Sequence, residues 1–210
     1  MNTPEPAFYR NQVFINCPFD DDYKPLFRAI VFTVHACGFT ARCAQEDDNS
    51  ADVRIQKIIR IIDACHYGIH DISKADLDKN TKLARFNMPL ELGIFIGAHH
   101  FAPAKHYNRN KKFVVMDSEP HRYQKFISDI NGQDIKAHDL KEENIIWHVR
   151  DFLATSSRTQ LPGANYLTEQ YELFKNRLPA ICQKLKWTVG KLTFINYVDC
   201  TTGWLKENPV

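Results

Sequence analysis

The 210-residue chain is long enough for one larger domain, or for a domain of about 150 residues with an appendage. Its 44% hydrophobic and 25% charged residues are ordinary for a globular protein, and a net charge of +2 without a long basic run does not indicate nucleic-acid binding. The most apolar run, Leu92 to Ala98, is far shorter than the roughly 20 residues that span a bilayer, and residues 1–10 lack a signal-peptide core. We therefore expect a cytoplasmic protein without membrane contact.

Short apolar runs alternate with segments whose apolar residues have helical spacing, as in Tyr23 to Val34. Strands are predicted at 12–16, 39–44, 67–72, 112–116 and 134–138, and the helices after them at 23–34, from 52, at 87–101, at 120–130 and at 142–153. This alternation predicts an α/β fold with a five-stranded parallel sheet and helices on both faces.

The composition of the chain changes near residue 155, where polar residues, Pro and Gly become frequent. We expect an α/β domain over 1–154, a linker over 155–164 and a C-terminal helical appendage over 165–210, with helices at 166–187 and 193–206. Two helices bury little surface alone, so they should pack on the sheet domain or against another protomer or partner.

The six cysteines form no C-x-x-C pair and no zinc-finger spacing, so we expect mostly buried, reduced thiols and no metal site. The sequence also lacks G-x-G-x-x-G, G-x-x-x-x-G-K-[ST] and G-x-S-x-G, which argues against a dinucleotide-binding fingerprint, a P-loop and a nucleophile elbow. Cys17, after the first strand, would need a nearby His to act as a nucleophile.

Ligands of open parallel sheets bind at the carboxyl ends of the strands, and the loops predicted there are rich in carboxylates and amides. His70 is expected to point into the sheet packing and Asp71 to reach the site. The candidate substrate contacts are Asn16, Cys17, Pro18, Phe19, Asp20, Asp71, Ser73, Phe86 and Asn87.

Glu91 is the one carboxylate in the apolar start of the third helix, which follows a polar loop over 73–82. Asn87 is predicted to cap this helix, Pro89 to lie in its first turn, and Glu91 to stay ionised near the positive end of the helix dipole. Glu91 then either stabilises the helix or acts as a catalytic anion facing a sugar. A carboxylate can stabilise the oxocarbenium-like transition state of glycosidic cleavage, and a neutral nicotinamide leaving group needs no strong general acid.

The sequence resembles the nucleoside 2-deoxyribosyltransferase-like and TIR-like α/β superfamily of bacterial proteins. The segments that carry the resemblance are Val13 to Phe19, Tyr67 to Ser73 and Arg85 to Gly93, in that order within about residues 10–150. Cys17 replaces a glycine of the transferases, and Arg85 to Met88 replace their Asp-x-Gly-Thr stretch.

The resemblance implies a flavodoxin-like sheet, Glu91 as catalytic nucleophile or stabiliser, and Asp71 and the Asn16 to Phe19 loop as substrate contacts. It further suggests an antiphage-defence effector that consumes NAD or a nucleotide as substrate, with no separate cofactor. Three hypotheses stay open: an N-glycosidase or transferase, a nucleotide-sensing or signalling module of the same fold, and an assembly domain whose C-terminal helices form a homo-oligomer or bind an activating partner.

Overall fold

The computed structural model describes residues 4–75 and 83–210. Within these ranges a five-stranded sheet has the strand order β2-β1-β3-β4-β5, and all neighbouring strands are parallel. The strands are β1 (Gln12–Asn16), β2 (Thr40–Arg42), β3 (Tyr67–Asp71), β4 (Lys112–Asp117) and β5 (Lys136–Ala137). This is the flavodoxin-like order, which confirms the predicted fold.

Helices cover both faces of the sheet because the central strands are apolar on both sides. They are α1 (Lys24–Ala36), α2 (Arg54–Ala64), α3 (Asn87–His100), α4 (Glu142–Ser157), α5 (Ala164–Leu185) and α6 (Phe194–Glu207). In β1, Val13 and Ile15 face the core that includes α1 and α4, whereas Phe14 faces the core formed with α2 and α3. No helix in the described ranges is long and apolar enough to cross a membrane.

One predicted helix is wrong. The segment 120–130 forms two short 3-10 helices, Arg122–Lys125 and Ser128–Ile130, instead of one α-helix. His121 has left-handed backbone angles, and the Arg122 guanidinium is drawn to Asp117, with 2.6 Å from Nη2 to Oδ1, and to the carbonyl oxygen of Ile72. These contacts hold the segment at the sheet edge in a geometry that a continuous helix does not permit. Residues 76–82 of the predicted polar loop lie outside the described residues.

The two C-terminal helices pack on α1 and share its hydrophobic core, and α4 extends into the predicted linker. The Phe32 ring of α1 stacks on Phe174 of α5 at 5.4 Å between centroids and lies 5.9 Å from the Trp204 ring of α6. The Tyr197 hydroxyl donates to the Arg28 carbonyl oxygen at 3.2 Å. Packing on the α/β part, which was one of the two expected arrangements, is therefore what the structure contains.

Candidate functional site

A cavity of about 590 Å³ lies beyond the carboxyl ends of β1 and β2, in the size range of small-molecule sites. The loops after these two strands supply Phe19, Asp20 and residues 44–48, and the start of α2 supplies Arg54 and Lys57. The remaining wall comes from the first turns of α1 and from the segment that leads into α6. The cavity thus joins the sheet edge to the C-terminal helices.

Three aromatic rings form a continuous apolar part of this lining. Phe19 meets Phe27 edge to face at 5.3 Å, and Phe27 lies 6.0 Å from Phe194. Aromatic surfaces of this kind bind bases by stacking without strong sequence preference. The cavity therefore offers an aromatic ligand a matching surface.

Charged side chains of both signs surround the rings. Glu46 is neutralised by the Arg42 guanidinium, with 2.6 Å from Nε to Oε2, and Asp20 by Arg85, with 2.9 Å from Nη1 to Oδ2. Among the residues that the structure describes, the Arg54 guanidinium has no hydrogen-bond or ion-pair partner. Part of the positive charge on the wall is therefore not held in an ion pair.

Glu91 is buried, with 6% of its surface exposed, and its carboxyl forms no hydrogen bond or ion pair in the described ranges. Desolvation by burial raises the pKa of its carboxyl to about 7, and the positive charge of Arg54 opposes the rise. The prediction that this carboxyl stays ionised at neutral pH did not allow for its burial, which disfavours the charged form.

The helix geometry explains the difference. The α3 helix begins at Asn87, with Phe86 as its N-cap and without a side-chain cap hydrogen bond, so the predicted Asn87 cap is wrong. Glu91 is consequently the fifth residue of the helix, beyond the first turn where the dipole stabilises an anion. Burial outweighs the dipole at that position.

Asn16 fixes the start of α3 to the end of β1. Its Nδ2 donates to the Met88 carbonyl oxygen at 2.8 Å and lies 3.0 Å from Nδ1 of His70. Burial lowers the pKa of His70 to about 3, so its ring is neutral, and it packs edge to face on Phe95 at 4.9 Å. His70 points into the packing, as predicted, and Asn16 acts through backbone and ring contacts that position Glu91.

Asp71 and Ser73 lie in a separate buried network at the end of β3. Asp71 is fully buried and accepts hydrogen bonds from the Tyr23 hydroxyl at 2.5 Å and from the Ser73 backbone N–H at 2.8 Å. His138 Nε2 lies 2.9 Å from Oδ2 of Asp71. The carboxylate thus connects β3 to the start of α1 and to the loop after β5. Neither Asp71 nor Ser73 is among the residues that line the cavity.

The other predicted contacts divide by exposure. Phe19 and Asp20 line the cavity. Cys17 and Pro18 are buried and are not among the residues that line it. Burial raises the pKa of the Cys17 thiol well above its usual range, which leaves it protonated and a poor nucleophile. Phe86 and Asn87 are exposed at the start of α3, with 69% of the Phe86 surface accessible. All six cysteines are buried and free, as expected.

Sequence reasoning did not identify Arg54, Lys57, Lys191 and Phe194 as cavity residues. Arg54 and Lys57 carry a weak signal, since they follow directly after the acidic loop at a predicted strand end. Lys191 and Phe194 carry no such signal. Their position in the cavity wall depends on how α5 and α6 pack on α1, which the local sequence does not specify.

No protein-family model matches the chain, and no curated protein or solved structure does either. The resemblance to the deoxyribosyltransferase-like and TIR-like superfamily therefore stays a prediction. Function has to be argued from the cavity and from Glu91.

Proposed function

We propose that this protein cleaves the N-glycosidic bond of NAD or of another nucleotide or nucleoside, as a hydrolase or a transferase, in the cytoplasm. Glu91 is the nucleophile or the stabiliser of the oxocarbenium-like transition state. The observation that supports this most directly is a buried carboxyl at the start of α3 that has no partner in the described part of the chain. Six buried free thiols suit the reducing compartment.

An unpaired buried carboxylate is suited to this chemistry because its charge is poorly solvated in the free enzyme. Positive charge that develops on the sugar in the transition state would stabilise the anion, so the interaction strengthens where the barrier lies. The ionised form is the active one, and Arg54 favours it by lowering the pKa of Glu91.

Glu91 and the cavity are connected through Arg54, which lines the cavity and acts electrostatically on the carboxyl. Glu91 itself is not among the lining residues of that cavity. The proposal therefore requires that the sugar reaches Glu91 when the substrate binds, while the base contacts the aromatic wall formed by Phe19, Phe27 and Phe194.

The test is release of free base from NAD and from a panel of nucleosides and nucleotides, measured by chromatography. Wild type should release base, and Glu91→Gln should be slower by about 100-fold or more, the usual cost of losing one electrostatic stabiliser. Glu169→Gln is the matched control, because Glu169 is exposed on α5 and has no ionic partner in the described ranges. Equal rates for wild type and Glu91→Gln would contradict the proposed role.

A second candidate is a nucleotide-sensing module, and one observation favours it: the carboxyl does not line the cavity in which a ligand would bind. Such a module would show ligand-dependent thermal stabilisation without turnover. Glu91→Gln would then bind ligand as wild type does.

A further inference from the structure

We propose that the cavity binds phosphate, through Arg54 and Lys57 on one wall and Lys191 on the segment leading into α6, so that its ligand is a nucleotide rather than a free nucleoside. The proposal rests on the proposed function only in treating this cavity as the substrate site. It narrows the substrate class to nucleotides and assigns the segment that leads into α6 a role in ligand binding.

The first support is the lysine Lys57, whose side chain is largely buried in the cavity wall. Lys57 is only 8% exposed, and its Nζ donates to the backbone carbonyl oxygen of Asp47, which carries no net charge. An ammonium group has three N–H donors, and in the described ranges this is the one hydrogen bond that Lys57 Nζ makes. Buried lysines are rare unless they are paired, so the cavity wall holds a cation whose charge is not compensated there.

The second support is the pair Arg54 and Lys191, which line the same cavity. Neither the guanidinium of Arg54 nor the ammonium of Lys191 forms a hydrogen bond or ion pair in the ranges described. Asp47 and Asp48 also line the cavity and oppose an anion. Arg28 adds a further cation, and its guanidinium contacts the Val189 carbonyl oxygen and the Tyr197 ring rather than a carboxylate of the described residues. Within the described ranges, four lining cations but only two lining anions form no ion pair: Arg28, Arg54, Lys57 and Lys191, against Asp47 and Asp48.

The third support is that the segment bearing Lys191 is held in place. Arg28 Nη2 donates to the Val189 carbonyl oxygen at 2.6 Å, and Lys24 Nζ donates to that of Gly190 at 3.3 Å. Thr193 then forms a capping box at the start of α6. The ammonium of Lys191 is therefore presented to the cavity from a defined backbone.

The ligand class follows from combining the two kinds of surface. Aromatic rings suit a base, and guanidinium and ammonium groups suit phosphate oxygens. Arg54 is also the first residue of α2, and the positive end of the helix dipole there adds to the attraction of an anion. An aromatic base joined to phosphate is a nucleotide.

The test is calorimetric binding of ADP, AMP and adenosine to wild type, Lys191→Met and Arg54→Met. Wild type should bind ADP at least about ten-fold more tightly than adenosine, and each variant should lose most of that preference, since a charge-assisted hydrogen bond contributes about this much. Lys206→Met is the matched control, because Lys206 is exposed on α6 and does not line the cavity. It should bind all three ligands as wild type does.

Equal affinity for ADP and adenosine, absence of binding to either, or an unchanged ADP preference in both variants overturns the proposal. The outcome is separable from that of the proposed function. A variant-sensitive ADP preference without base release supports phosphate binding and contradicts catalysis. Base release from nucleosides and nucleotides at equal rates, unaffected by Lys191→Met, supports catalysis and contradicts phosphate binding.

Discussion

Replacing Glu91 by Gln should make the protein more stable at neutral and alkaline pH. Burial without a partner raises the pKa of this carboxyl from 4.5 to about 7, so the folded state binds its proton more tightly than the unfolded state does. The stabilisation from the protonated form is complete below pH 4.5 and is lost as pH rises through 7. Above pH 7 the wild type therefore holds a buried charge that Gln removes.

The size of the effect follows from the two pKa values. A ten-fold change in proton affinity corresponds to about 1.4 kcal/mol, so the free energy of unfolding of Glu91→Gln should exceed that of wild type by roughly 3 kcal/mol at pH 8. At pH 5 the carboxyl is protonated in the folded state and the difference should be below about 1 kcal/mol. Gln has nearly the same shape, so packing should contribute little.

Urea unfolding at pH 5 and pH 8, followed by circular dichroism, measures both values. Glu169→Gln should match wild type within about 0.5 kcal/mol at both pH values, as exposed substitutions usually do. A Glu91→Gln variant that is less stable than wild type at pH 8, or a difference that is the same at both pH values, would refute the reasoning. The result does not depend on any substrate, and a stable Glu91→Gln protein that lacks activity would show that the loss is chemical.

Three further outcomes are expected. If the ionised carboxylate of Glu91 is the active form, the rate of base release by wild type should rise with pH through about 7 and level off above it. A rate that falls over this range would contradict the role assigned to Glu91. Asn16→Ala removes the donor to the Met88 carbonyl oxygen, so it should lower the free energy of unfolding by about 1–3 kcal/mol and slow base release. Unchanged stability in urea would show that this contact is dispensable. Burial lowers the pKa of Lys111 from 10.5 to about 8, so between these pH values the unfolded state binds a proton that the folded state has lost. The stability of wild type relative to Lys111→Met should therefore rise from pH 8 to 10.5. A stability difference that does not change with pH in thermal unfolding would contradict this.

The sheet was predictable because its signal is local. Each buried parallel strand is a short apolar run such as 12–16, and the alternation with helices leaves few possible topologies. The carboxyl-end rule placed Phe19 and Asp20 correctly at a cavity, since loops after parallel strands meet at one edge.

The rest of the site depends on contacts between distant parts of the chain. The protonation of Glu91 is set by how fully neighbouring elements exclude water, which its helix position alone does not indicate. Asp71 lies at the end of its strand as predicted, but Tyr23 and His138, from positions 48 or more residues away, both contact its Oδ2. Lys191 reaches the cavity because aromatic side chains pack α5 and α6 against α1.

The wall formed by Lys191 and Phe194 comes from a part of the chain that the ribosome translates after every strand of the sheet. N-terminal elements of a nascent chain fold first. The sheet and Glu91 can therefore be in place while this wall is still being synthesised, and the growing polypeptide then has an open groove where the finished molecule has a closed-in cavity.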